Sequence, residues 1–343
     1  MALFAEQPKT SHAQLFLAPM QGLIDAQMRD LLTRIGGYDG CVTEFVRITH
    51  TVHHRTTWLK YMPELAQANK TQAGTPVIVQ LLGSDAVNIA RNALNVIKLG
   101  ANQIDLNFGC PAPTVNQHAG GAILLRTPKL IEEIVSTVRK TIPENVILSA
   151  KMRLGYEDKT QAIACAQAIE QGGAQLLTVH ARTKLEGYKP PAHWEWIARI
   201  KNNVSIPVVA NGDVFTLADY QNIRIISKCE HVMLGRGAVQ RPDLARQIAA
   251  YNNGNLIDPM PWQEIVEWIA EFFKICCLRA QANNKYPVAR LKQWLAMLKL
   301  TYPEAATLFN TIRTLTTINE ISTIINRHAK ACRSDENSRI SAI

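Results

Sequence analysis

Eight short apolar runs recur along the chain, and each closes on polar or glycine-bearing residues. They are Leu15–Pro19, Cys41–Phe45, Val77–Leu82, Gln103–Phe108, Val146–Met152, Leu176–His180, Val208–Asn211 and His231–Leu234. Runs this short, apolar and often β-branched fit strands covered on both faces. Between most of them lie stretches with helical spacing: Asp85–Leu99, Lys129–Thr141, Gln161–Gln171 and Trp194–Lys201. Strands that alternate with helices pair in parallel. Two architectures accommodate that pattern, a doubly wound open sheet and a closed (β/α)₈ TIM barrel. An open sheet gathers its ligand residues at one switch point, whereas here almost every run ends in candidate functional residues. A barrel builds its site from all strand ends on one face, so the barrel is predicted.

The texture changes after residue 250. Residues 251–261 (YNNGNLIDPMP) have linker composition. Beyond them only helical periodicity remains. Pro261 can open a helix through Trp262, Val266 and Ile269. Ala289–Leu300 sets Leu291, Trp294, Leu295 and Leu298 on one stripe, with Arg290 and Gln293 expected on its other sides. Two more helical segments follow, Glu304–Leu315 and Ile318–Ala329. The predicted organisation is an N-terminal extension (1–14), a barrel (15–250), a linker (251–261), a C-terminal all-helical domain (262–330) and a flexible tail (331–343).

The 343 residues are enough for a barrel of about 250 plus a smaller domain. No apolar run approaches the roughly 18 residues a membrane span needs, and the first residues lack a signal pattern. A cytoplasmic protein that does not enter membranes is expected. The seven cysteines form no CxxC pair and no zinc spacing, so neither a disulfide framework nor a metal is expected. The net charge of +9 suits an anionic partner such as nucleic acid.

Several strand ends carry chemistry. The seventh run ends in Asn211-Gly212-Asp213 and the eighth in Gly235-Arg236-Gly237. Loops after these two strands are the usual phosphate site of a barrel. Glycine lets backbone N–H groups approach a phosphate, and Arg236 adds a charge-assisted contact. Lys151, within an apolar strand, is costly unless it faces a site, where it could stabilise negative charge developing on a ring. His180 closes the sixth run and is followed by Arg182, and Gln80 could read a ring edge with its amide. Together these suit a phosphorylated, planar, electron-accepting cofactor. No Rossmann glycine pattern for an adenine dinucleotide is present. Cys110, in Asn107-Phe108-Gly109-Cys110-Pro111, sits on the same face. It suits a general acid that protonates one carbon while hydride reaches its neighbour.

The runs LAPMQG (Leu17–Gly22), DLNFGCP (Asp105–Pro111), KMRLG (Lys151–Gly155), VHARTK, VVANGD and LGRGA resemble the tRNA-dihydrouridine synthase family, in chain order across the barrel. The helical segment ARLKQWL resembles the C-terminal domain of the bacterial C-type subfamily, which acts at position 16 of tRNA. The resemblance implies FMN as cofactor, NADPH as reductant and tRNA as substrate, in a monomer. It implies Pro19, Met20 and Gln21 against the flavin ring, with Gln80, Lys151, His180 and Arg182 at its edges. Asn211, Gly212, Asp213, Gly235 and Arg236 would hold the ribityl and phosphate oxygens, and Cys110 would be the proton donor. Arg47, Asn107, Tyr188, Arg290, Lys292 and Met297 match positions expected to touch tRNA. Two alternatives stay open from the residues: an FMN barrel that reduces a small pyrimidine, and a tRNA binder without catalysis.

Overall fold

The computed structural model describes residues 13–280 and 285–340, with side chains through residue 329. Residues 1–12, most of the N-terminal extension, and the tail residues 341–343 lie outside the described residues. Eight parallel strands form the core of the described chain: β1 (Leu15–Leu17), β2 (Gly40–Val42), β3 (Val77–Leu82), β4 (Gln103–Phe108), β5 (Ile147–Arg153), β6 (Leu176–His180), β7 (Val208–Asn211) and β8 (His231–Leu234). Each neighbour pairs in order, and β1 pairs with β8 through Leu15↔Val232 and Leu17↔Leu234. The sheet therefore closes, and the predicted barrel is the observed fold. An open sheet would leave β1 and β8 as edges.

The first run ends early, at Leu17, the fifth shifts by one residue to Ile147–Arg153, and the second is broken partway. β2 leaves the sheet after Val42, and the chain returns to pair Val46–Arg47 with Leu81–Leu82. The Thr43 hydroxyl accepts from the Gln80 backbone N–H at 3.0 Å, which replaces the missing ladder bond. At the interruption Glu44 accepts from Gly22 N, and Phe45 packs against Leu82, Cys110 and Val115.

Local chemistry sets the helices between strands. Asp25 caps Ala26–Ile35 and Asp85 caps Ala86–Lys98, each accepting from a backbone N–H of the first turn. Thr216 and Asp219 form a reciprocal capping box at the start of Leu217–Ser227. The helix Pro128–Thr141 buries Ile131, Ile134, Val135 and Val138 against the barrel, the spacing of one face. Inside the barrel, Phe16, Val42, Ile78, Leu176, Val209 and Met233 form a separate buried cluster that plugs the floor. Above this plug the inward positions turn polar, which places the site.

Four helices follow: Trp262–Arg279, Lys285–Leu298, Pro303–Ile312 and Ile318–Ile340. The predicted stripe of Leu291, Trp294, Leu295 and Leu298 is wholly buried. Trp294 meets Phe272 edge-on at 5.0 Å and donates its indole N–H to Val239 O at 3.0 Å, which ties these helices to the barrel. The last helix continues to Ile340, past the end at Ala329 that the apolar spacing predicts. No helix among the described residues is long and apolar enough to cross a membrane.

Candidate active site

A cavity of about 610 Å³ opens at the carboxyl ends of the strands, within the range of small-molecule and cofactor sites. The loop after β1 contributes Pro19, Met20 and Gln21. β4 and its loop contribute Asn107 and Cys110, and β5 contributes Lys151. His180, Tyr188, Asn211, Gly212, Asp213, Gly235 and Arg236 come from the ends of β6 to β8. Met297 reaches the same cavity from the helix Lys285–Leu298. The helical region thus forms part of the wall. Gln80, Arg182, Arg47, Arg290 and Lys292 do not line it.

The strand period explains who points inward. Ser149, Lys151 and Arg153 alternate along β5, and the intervening Leu148, Ala150 and Met152 are buried in the outer core. Lys151 donates to Asn211 Oδ1 at 3.0 Å, and Asn211 in turn donates to Met233 O at 2.8 Å. Burial, reinforced by the nearby Arg153 charge, lowers the Lys151 ammonium to about 7. Burial, then the charges of Arg153, Lys151, Arg182 and Arg236, hold His180 well below the ordinary histidine range. The imidazole is therefore neutral, and its buried Nδ1 has no hydrogen-bond partner within the protein.

Asp213, in a left-handed conformation at φ 53°, is the hub of the rim. Arg182 grips both its oxygens, and Arg236 donates to Oδ1 at 2.9 Å. Arg182 is fully buried and also donates to Lys189 O at 2.7 Å, so it braces Asp213 from behind the cavity wall. The Arg236 guanidinium lies over both Tyr188 (4.8 Å) and Phe215 (5.5 Å). At Gly235 a methyl group would meet nothing closer than Met20 Sδ at 3.6 Å. The missing side chain leaves room against the backbone there. The first N–H groups of the short helix Arg236–Gln240 lack intrahelical acceptors and start beside that space.

The Cys110 loop is held from several sides. Asn107 Oδ1 accepts from the N–H groups of Gly109 and Cys110, both at 2.9 Å. Cys110 O accepts from Asn116 Nδ2 at 3.0 Å and from Ala122 N at 3.1 Å. Gly121, at φ 69°, passes so close that an added Cβ would stand 2.7 Å from Cys110 O. Burial pushes the Cys110 thiol up, against smaller lowering by an Ala112 backbone contact and the Arg153 charge. The thiol stays protonated at neutral pH, as a proton donor requires.

One expected contact residue sits differently from its predicted placement. Arg290 is 7% exposed, not on an open helix face. It donates to Gly22 O at 3.0 Å and Leu23 O at 2.9 Å, and its Nε lies 3.0 Å from Asp25 Oδ2. Its helix packs this second face against the loop after β1, a contact that helical periodicity alone does not report. Lys292 donates to the carbonyls of Arg313 and Leu315 past the end of the helix Pro303–Ile312. Arg47 is half-buried at the rim, on the segment that rejoins β3.

Sequence reasoning passed over Arg153, Phe45 and Phe215, which also line the cavity. Arg153 is 3% exposed, donates to the carbonyls of Gly109, Thr183 and Gly187, and lies 5.2 Å from the Tyr188 ring. Its place two residues after Lys151 on one strand is the signal that could have found it.

A thiol, a buried lysine and two glycine-bearing strand ends around one carboxyl-face cavity define a (β/α)₈-barrel enzyme. The dihydrouridine synthase (Dus) family model matches residues 16–331. The chain belongs to that family, which is a family of oxidoreductases. It is 62% identical over 320 residues to the tRNA-dihydrouridine(16) synthase of Neisseria meningitidis serogroup A, covering 93% of this chain and 96% of that one. It is 48% identical over 318 residues to the enzyme of that name from Pseudomonas syringae pv. tomato, covering 93% and 100%. Among solved structures, the 6-hydroxypseudooxynicotine amine oxidase of Pseudomonas geniculata shares the fold, with TM-score 0.53 and 13% identity, over 71% of this chain and 47% of that one.

Proposed function

We propose that this chain reduces uridine to 5,6-dihydrouridine in tRNA, at position 16 of the D-loop, with FMN as flavin and NADPH as reductant. The observation that carries the reading is the common cavity shared by Cys110, Lys151, His180 and the glycine-bearing ends of β7 and β8. The names of the relatives, at high identity over nearly the whole chain, support the substrate and the position.

The residues fit a flavin mononucleotide. The unpartnered buried Nδ1 of His180 and the Lys151 ammonium, with one acceptor, both await a polar ligand atom. The open backbone at Gly235 with Arg236 suits one phosphate group, whereas a dinucleotide would need a second such cradle. Pro19, Met20 and Gln21 would bound the ring, with Lys151 toward its polar edge, Gln80 behind the wall holding Asn107, and Arg182 holding Asp213 in place. When bound, FMN reduced by NADPH supplies the hydride for C6 of the uracil ring. Cys110 gives its thiol proton to C5 and is reprotonated from solvent. Lys151 stabilises negative charge at the ring edge.

The target uridine must leave its stack to reach this depth. Tyr188, 51% exposed at the mouth, offers it an aromatic face, and Asn107 and Met297 line its way in. Arg47, Lys292 and the wider helical region 262–330 would hold the rest of the tRNA, with barrel residues 15–250 carrying the chemistry. The test is tRNA-dependent NADPH oxidation by the purified protein, with its flavin released and identified by chromatography. FMN and turnover on tRNA but not on free uracil are expected. Turnover on free uracil with tRNA inert would instead support a small-pyrimidine reductase, and FAD would remove the cofactor assignment.

A further inference from the structure

A line of hydrogen bonds crosses the barrel interior from β5 to the thiol loop. Asp105, 3% exposed on the inner face of β4, accepts from Ser149 Oγ at 2.7 Å and from Gln80 Nε2 at 2.7 Å. Gln80 Oε1 accepts from Asn107 Nδ2 at 2.7 Å. Asn107 Oδ1 then accepts from the backbone N–H groups of Gly109 and Cys110. Burial raises the Asp105 carboxyl, opposed by the hydrogen bonds from Ser149 and Gln80 and by the Lys151 charge. In the ionised form that these donors favour, the carboxylate only accepts, so Gln80 turns its amide nitrogen toward Asp105. Its carbonyl then faces Asn107, which must answer with its own nitrogen. That leaves the Asn107 carbonyl, the only group able to accept from two backbone N–H donors, pointing at the Cys110 loop.

We propose that Asp105 is a positioning residue: its carboxylate sets the direction of the Gln80 and Asn107 amides and so holds the Cys110 thiol in place on the cavity wall. Without an acceptor at residue 105 the Gln80 amide nitrogen loses its partner, and the line is held from the loop end alone, by the Gly109 and Cys110 N–H groups. In the competing reversed state Gln80 offers its nitrogen to Asn107, Asn107 reverses in turn, and its NH₂ opposes those N–H groups. Donor would face donor beneath the thiol. The Asp105 end of the network is buried, where an unpartnered amide nitrogen is costly, and the Asn107 end borders the cavity.

This inference rests on the proton-donor reading of Cys110 for its catalytic consequence, but not for its structural one. The structural readout is the rate at which iodoacetamide alkylates Cys110 in the flavin-loaded protein, followed by peptide mass spectrometry. The catalytic readout is single-turnover oxidation of the reduced flavin by tRNA. Asp105→Leu removes the acceptor and is expected to change Cys110 alkylation about fivefold, the loosening that loss of one such hydrogen bond allows. Oxidation by tRNA is expected to slow about tenfold or more, since the donor is displaced from its acceptor carbon. Asp105→Asn is the rescue. Its carbonyl can still face Gln80 while its NH₂ donates to Ser149 Oγ, whose hydroxyl turns to Ile104 O, 3.3 Å away. Both rates should then return to within about twofold of the parent.

If Asp105→Leu does not fold, a second pair carries the test. Asn107→Asp alone sets a carboxylate at each end of Gln80, which cannot satisfy both. Adding Asp105→Asn permits the whole line to run the other way, with the new carboxylate accepting from Gln80 and from the loop. The double variant should recover Cys110 alkylation lost to its parent behaviour in Asn107→Asp. Unchanged alkylation in Asp105→Leu, or Asp105→Asn as impaired as Asp105→Leu, would overturn the proposal. So would a double variant no better than Asn107→Asp. A Cys110→Ala variant with undiminished oxidation would refute the proton-donor reading while leaving the alkylation result standing.

Discussion

Replacing Arg290 by alanine separates two roles that one arginine cannot easily combine. The guanidinium is buried against the loop after β1, where it donates to the carbonyls of Gly22 and Leu23 and pairs with Asp25. That loop carries Pro19, Met20 and Gln21 into the cavity. Glu44 holds it from the other side by accepting from Gly22 N. Removing one partner of a buried pair costs about 3–5 kcal/mol. Asp25 keeps the hydroxyl of Tyr286 and the N–H of Met28, which places the expected loss near the lower end, about 3 kcal/mol. With a urea dependence of about 3 kcal/mol per molar, the unfolding midpoint should fall by about 1 M. Flavin retention should weaken with it, because one wall of the cavity loosens. An arginine on phosphate behaves otherwise: its loss flattens the salt dependence of tRNA affinity by about one unit of slope. The assays are urea unfolding by tryptophan fluorescence and tRNA affinity across a salt series. An unchanged midpoint together with a flattened slope would refute the clamp and return Arg290 to the tRNA surface.

Other outcomes follow from the same geometry. Gly121→Ala forces a methyl group to 2.7 Å from Cys110 O at positive φ, so the thiol loop must shift. Tenfold to hundredfold slower tRNA-dependent flavin oxidation is the expected order, roughly what sub-ångström to 1 Å misplacement costs. A parental rate would show that the loop position is not limiting. Cys110→Ala should keep flavin but lose about 10²–10⁴-fold in single-turnover oxidation by tRNA, the usual worth of a general acid. Since burial raises the thiol, the pH midpoint of Cys110 alkylation by iodoacetamide should lie above the ordinary thiol range; a midpoint below it would contradict the environment described. Lys151 is lowered from 10.5 to about 7. Between those values the unfolded chain binds more protons than the fold, so this group's contribution makes the cofactor-free protein more stable as pH rises through that window. Comparing urea midpoints of the parent and Lys151→Met across pH isolates that contribution; identical pH dependence would contradict it.

The barrel was legible because its strands announce themselves locally: short apolar runs, each closing on functional residues, leave few closed arrangements. The buried stripe of the helix Lys285–Leu298 was legible for the same reason, since one apolar face must find a partner. What failed to show were features made by two distant segments at once. The burial of Arg290 depends on the loop near Gly22, more than 260 residues earlier. The inward turn of Arg153 was readable from its spacing to Lys151, but a charged residue near a strand end reads first as rim. The hydrogen-bond line through Asp105 needs three adjacent strands in register, with Gln80 beside Asp105 and Asp105 beside Ser149. The end of β2 at Val42 shows only in its pairing with β3, to which the apolar run through Phe45 is blind.

The central claim is most directly tested by mapping one tRNA nucleotide by nucleotide. Transcribed tRNA without dihydrouridine is incubated with the purified protein, FMN and NADPH, digested and read by mass spectrometry. The account predicts a gain of two hydrogens at the uridine of position 16 and nowhere else, abolished by Cys110→Ala. No gain at any uridine, or a gain confined to other positions, would contradict it.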